Sequence, residues 1–268
     1  MSQVRALRVT GSDLRLRRSS LAVWTASVLL LVLLIIGVYP SIRDNPSLDS
    51  IYGDLSSSAQ ALLGGSELTS PAGYLSTQLF AFFLPAVLLV FAIGRGAAAV
   101  AGEEEDRTLD LLLAQPMTRR SLYLEKTLAV VIGLGLLVLA SWLPLVVLRN
   151  AVRLDVPTVN LLAVCVQMGL FCVALGLGAG AVSAASGRRA LGTAAGAGYT
   201  FVSYLVYGLS ATVHWLSYLR PLSLWRWYLG NDPLRTGFGG EEVAVLLGVC
   251  VLVLVGGVTA FARRDLRG

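Results

Sequence analysis

Apolar residues in this chain come in runs much longer than one face of a globular helix, and most charged residues fall in the gaps between the runs. A bilayer-spanning helix needs roughly 20 mainly apolar residues. Six runs reach or approach that length: Leu21 to Val38, Tyr74 to Val100, Leu122 to Leu148, Val159 to Ala185, Ala190 to Ser210 and Val243 to Ala262. Backbone polar groups in hydrocarbon must be satisfied within their own segment, so each run is expected to be a helix. The pattern predicts an all-α integral membrane protein with six transmembrane helices in one domain over residues 1–268.

The gaps differ in kind. Residues 1–20 set Leu7, Leu14 and Leu16 among arginines, with a break at Gly11-Ser12-Asp13, as an amphipathic segment on the inner leaflet would. Residues 40–73 are the longest polar stretch, expected outside, with turn residues from Arg43 to Ser47 and an apolar patch from Leu55 to Leu63 that predicts a short surface helix. Residues 211–242 are too aromatic for an aqueous loop and too broken by Pro221, Pro233 and charge for a span. Trp and Tyr concentrate at the headgroup level, so a helix-turn at the outer interface is expected before the last span. Gly192 and Gly196 have the spacing that lets helices approach closely in lipid. Arg95 lies inside the second run, as a snorkelling anchor or as a polar group facing a cavity or an acidic partner.

Composition removes the soluble alternative. Of 268 residues 56% are hydrophobic and 14% charged, with mean hydropathy +0.73, against about 25% charged in soluble proteins. The first run is longer than a signal-peptide core and no small-residue cleavage pattern follows it before Tyr39-Pro40, so it is expected to stay as an anchor. Cations fall unevenly: Arg5, Arg8, Arg15, Arg17 and Arg18, then Arg107, Arg119, Arg120 and Lys126, then Arg188 and Arg189, then Arg263, Arg264 and Arg267 share one side. The other side has fewer arginines, balanced by acids from Asp44 to Glu242. Positive loops stay inside. Both termini and residues 102–120 are therefore expected in the cytoplasm, in a multi-pass protein of the cytoplasmic membrane. The net charge of +5 reads as topology and attraction to anionic membrane lipid, with no nucleic-acid partner. Cys165, Cys172 and Cys250 lie inside apolar runs and His214 is the lone histidine, so no metal framework is expected.

The charged island from Gly102 to Arg120 is the one conspicuous exception between two long runs. Leu109, Leu112 and Leu113 recur at helical spacing, with Asp106 or Thr108 as N-cap and Pro116 as stop. Acids precede this short helix and Arg119 and Arg120 follow it, the polarity a helix dipole favours. Its leucines either dip into the membrane surface or enter a groove on a soluble partner.

Gly102-Glu103, the run Thr108-Leu109-Asp110-Leu111-Leu112-Leu113, Pro116, Arg119-Arg120 and Lys126 together resemble the signature of ATP-binding-cassette (ABC) permeases of the type-2 exporter family, with the six-span plan of NosY-like membrane subunits. Leu219 to Ser223 and Asn231 to Arg235 are similar to the outer segment before the last span in bacterial members. Arg107 departs from the glycine often found there. The resemblance implies a permease half that faces a second copy, as a homodimer or related heterodimer, and a cytoplasmic nucleotide-binding ATPase subunit docked on each island. It implies that Glu103, Glu105, Thr108, Leu109, Asp110, Leu112, Leu113, Arg119 and Arg120 form the ATPase-coupling segment, and that the pair works as an exporter. ATP and Mg would sit on the partner subunit, with no cofactor bound directly. Independently, the only lysine is Lys126, and Glu125 and Arg120 occupy the positions where a phosphate-binding loop needs glycines. The chain is thus expected not to be an enzyme, and to move an amphipathic or lipid-like compound, because its spans carry little charge. Two rivals stand beside this: a non-transporting sensor or anchor subunit, which would keep the same coupling helix, and an intramembrane enzyme built on Ser210 and His214, which lacks an orienting acid.

Overall fold

Residues 18–43, 56–63, 69–105 and 118–263 are described by a computed structural model of the protein. All regular structure among them is helical: α1 (Arg18–Arg43), α2 (Ser57–Leu63), α3 (Pro71–Leu75), α4 (Phe83–Ala98), α5 (Ala101–Glu105), α6 (Arg119–Leu148), α7 (Thr158–Ser186), α8 (Arg189–Leu209), α9 (Leu224–Leu229), α10 (Pro233–Thr236) and α11 (Gly240–Arg263). The six apolar runs correspond to α1, the α3–α4 stretch, α6, α7, α8 and α11. The apolar patch before Leu63 is the short helix α2, pinned to the end of α8 by a hydrogen bond between the Ser58 and Thr212 hydroxyls.

Five of these helices are long and apolar enough to cross a membrane. α8 is not among the five, although its 21 residues reach about 31 Å at 1.5 Å each. Glycines and tyrosines such as Gly192, Gly196, Gly198, Tyr199 and Tyr204 dilute its apolar character.

α7 is the hub, packing on α4, α6, α8, α9, α10 and α11. Some 67% of its most apolar stretch is buried within the protein, against 22% of α1 and 17% of α11. The two outer helices therefore bury little against the rest, and their exposed Leu30, Leu34, Val251 and Leu252 suit lipid rather than water. Lipid removes the hydrophobic drive for helix association, so close packing must hold the hub.

The second run is broken. Ser70 caps α3 by accepting from the Gly73 N–H at 3.2 Å, and Pro71 opens the helix. A π-helical turn follows over Ser76–Phe80 before the chain re-forms as α4 past Phe82, whose φ is −145°. Pro85 offers no N–H to the carbonyl four residues earlier, which fits a helix that restarts here. The freed Phe80 carbonyl accepts from the Tyr228 hydroxyl of α9 at 3.0 Å, the kind of repair by a neighbour that a broken membrane helix requires.

Residues 211–242 differ from a plain interfacial turn. His214–Leu222 is a 3-10 helix with exposed Trp215, Tyr218 and Leu222. The chain then folds inward along α8. Tyr199 Oη donates to the Leu222 carbonyl at 2.7 Å, Ser223 Oγ to the Ser203 carbonyl at 2.7 Å, and Trp225 Nε1 to the Thr200 carbonyl at 3.3 Å. α9 thus starts about two turns short of the Leu209 end of α8, roughly 9–15 Å along its axis. Phe171 of α7 stacks on Tyr228 at 5.3 Å. Asn160 of α7 then holds α10, donating through Nδ2 to the Leu234 and Arg235 carbonyls at 2.9 and 3.1 Å.

Candidate functional site

The charged island is bracketed by two anchored ends. On its N-terminal side α5 carries Glu103 and finishes at Glu105. The Glu105 carboxylate accepts from the Arg189 backbone N–H at 3.0 Å. Arg189 is the first residue of α8, and its preceding residue, Arg188, provides no side-chain cap. A helix N-terminus presents unsatisfied N–H groups and a partial positive charge. Glu105 therefore caps α8 from 84 residues away in sequence. On the C-terminal side Thr118 caps α6, its hydroxyl accepting from the Ser121 N–H at 3.2 Å. Thr108, Leu109, Asp110, Leu112 and Leu113 lie outside the described residues.

Arg119 and Arg120 occupy the first turn of α6. That end of a helix dipole disfavours cations, so helix stability does not account for them. Lys126 lies one and a half turns further on and is buried, next to buried Glu125 and Thr127. Arg95 is half-buried in the last turn of α4.

Behind Glu105, α4, α7 and α8 meet backbone to backbone. A Cβ on Gly96 would collide with the Gly176 carbonyl, and one on Gly176 would stand 2.9 Å from the Ala92 carbonyl oxygen. A Cβ on Gly180 would stand 3.1 Å from the Gly96 carbonyl oxygen. The predicted Gly192 and Gly196 pair is used in the same way: a Cβ on Gly192 would collide with Ser183 and the Ala179 carbonyl, and one on Gly196 would stand 3.0 Å from the Ile93 side chain. The N-terminal end of α8 is thus both capped by Glu105 and closely packed on α4 and α7.

Farther along, α8 separates two grooves. One, of about 480 Å³, is bounded by α7, α8, α11 and the Pro221–Trp227 stretch; the other, of about 400 Å³, by α4, α8 and Trp225. Their linings are almost wholly apolar, from Ala174, Val249 and Val253 in the first to Leu89, Val90 and Phe201 in the second. Complete burial pushes the Tyr228 phenol well above its ordinary range, so it remains a hydrogen-bond donor.

Hydrolytic chemistry finds no support in this geometry. Ser210 Oγ donates to the Tyr207 carbonyl at 2.8 Å, while the His214 ring packs edge-on to Tyr218 at 6.0 Å. No group of three His, Cys, Asp or Glu side chains suited to a metal occurs among the described residues. Asn160 and Tyr228 escaped the sequence analysis as positioning residues, because their partners lie in distant segments.

The profile of a family described as ABC-2 family transporter protein matches residues 7–266, nearly the whole chain. No individual curated protein matches it. The family is typically non-catalytic, is membrane-embedded and works with a nucleotide-binding subunit. With an all-helical fold and five helices of membrane-crossing length, the chain is a multi-pass membrane permease that belongs to the ABC-2 transporter family.

Proposed function

We propose that this chain is the membrane-spanning half of an ATP-driven exporter, with the six-span plan of NosY-like subunits, that moves an amphipathic or lipid-like compound across the cytoplasmic membrane. α8, the fifth in chain order, completes the six spans. Both termini and residues 102–120 are cytoplasmic, two permease chains face each other, and each takes a separate ATPase subunit on the segment around Leu109, Leu112 and Leu113. ATP and Mg belong to that subunit.

The observation that carries the reading is the hydrogen bond from the Arg189 N–H to Glu105. It joins the start of the docking segment to α8, a membrane-length helix that borders both apolar grooves. Force applied at the island by nucleotide-driven closure of the ATPase reaches α8 through this cap. A shift of α8 against the close-packed α4 and α7 opens one groove as it narrows the other. The apolar lining supports an amphipathic cargo over a hydrated ion, because nothing there replaces a hydration shell.

Co-expression with the cognate ATPase and reconstitution into vesicles tests the reading. ATP-dependent movement of a fluorescent amphiphile is expected, from complexes whose mass contains two permease chains. A complex that hydrolyses ATP yet moves none of a panel of amphiphiles, or one that works with a single permease chain, contradicts it.

A further inference from the structure

Arg226 stands beside the larger groove, next to one of its lining residues, Trp227. Its guanidinium carbon lies 4.4 Å from the centroid of the Trp227 ring, and that ring lines the groove of about 480 Å³. A ring face offsets only part of the charge of a cation removed from water. Among the described residues the ion pair Asp232–Arg235 involves other side chains, and no carboxylate pairs with Arg226. The backbone beside it is fixed by the bonds of Ser223 and Trp225 to α8, so Arg226 is set along the flank of α8 and not beyond its end. An arginine at such a position calls for an anionic partner.

The groove itself accepts only apolar matter. The two polar groups at its rim are already engaged, Tyr199 Oη with the Leu222 carbonyl at 2.7 Å and Trp227 Nε1 with the Pro221 carbonyl at 2.8 Å. Val249 and Val253 form one wall and open space stands beside Gly178. The open side runs between helices whose outer faces suit lipid, so the molecules that meet it are acyl chains.

We infer that this groove binds an anionic phospholipid of the surrounding bilayer, with one acyl chain along Val249 and Val253 and the phosphate at Arg226. The inference rests only on the membrane placement of the chain, and its test needs neither transport nor nucleotide.

The full chain, purified with its ATPase subunit in nonionic detergent, is equilibrated with equimolar phosphatidylglycerol and phosphatidylcholine of identical chains, and retained lipid is counted by native mass spectrometry. Phosphatidylglycerol should be retained about fivefold over phosphatidylcholine, the scale of one partly screened ion pair. Arg226→Gln should bring the ratio close to one and Arg226→Lys should restore most of it. Val249→Trp, or Val253→Phe if the first variant fails to assemble, should lower retention of both lipids. An unchanged ratio in Arg226→Gln, or undiminished retention when the groove is filled, overturns the assignment. Failure of transport in the vesicle assay leaves this measurement unaffected.

Discussion

Two glycines in α4, two residues apart, should respond to the same substitution with opposite signs. Gly94→Ala meets nothing within 4 Å, whereas Gly96→Ala drives its methyl into the Gly176 carbonyl, with the Gly176 Cα only 3.2 Å away. These obstacles are backbone atoms and cannot rotate aside. α4 and α7 must separate, and overpacking of that kind costs about 1–3 kcal/mol. Alanine also raises helix propensity by about 1 kcal/mol over glycine. Gly94→Ala should therefore be stabilising by up to about 1 kcal/mol and Gly96→Ala destabilising by up to about 2 kcal/mol. The gap, about 2 kcal/mol, is roughly thirtyfold in the unfolding equilibrium. Titration of the purified permease with a denaturing detergent, followed by circular dichroism, reads the difference directly. Equal stability of the two variants would refute the backbone contact between α4 and α7.

Glu105→Gln keeps an acceptor at the start of α8 but removes its charge, costing less than about 1 kcal/mol at this exposed, screened position. Thermal stability should barely move, while the amount transported per ATP hydrolysed falls; an unchanged ratio argues against coupling through this cap. Asn160→Ala removes one buried and one partly buried hydrogen bond to α10 and leaves their carbonyls without this donor, at about 1–3 kcal/mol. A cysteine introduced at Leu234 should then label faster than in the parent chain. In a background without native cysteines, position 232 should label from outside the cell and position 119 only after permeabilisation. The reverse pattern would invert the topology.

The helices were legible because span length is a local property, visible as an uninterrupted run. α1, α6, α7 and α11 extend each predicted run by only a few residues, where the ends overhang the apolar core. The break at Ser76–Phe82 was hidden, because Pro85 alone does not reveal a π turn, and its repair depends on Tyr228, 148 residues away. Gly192 and Gly196 announced a close approach, yet the surfaces they meet, Ala179, Ser183 and Ile93, follow from the fold alone. The aromatic segment was recognised as neither loop nor span. Its inward course depends on Tyr199, Thr200 and Ser203, polar groups spaced along a helix that read as ordinary span residues. Glu105 was singled out through family resemblance, and its role as the cap of α8 is a tertiary fact.

The central proposal is that residues 102–120 connect an ATPase to the membrane helices. Replacing Leu109 and Leu112 together with Asp places two carboxylates in any apolar groove they enter, at a cost of several kcal/mol if they are buried. The change lies outside the described helices, so membrane insertion and elution of the permease should match the parent. The measurement is ATPase retained per permease in affinity-purified complexes, together with ATP hydrolysis stimulated by an amphiphile. The account predicts that the double variant loses the ATPase or loses the stimulation. A variant that expresses normally, holds its ATPase and transports at the parental rate would show that the leucines only rest on the lipid surface, and would contradict it.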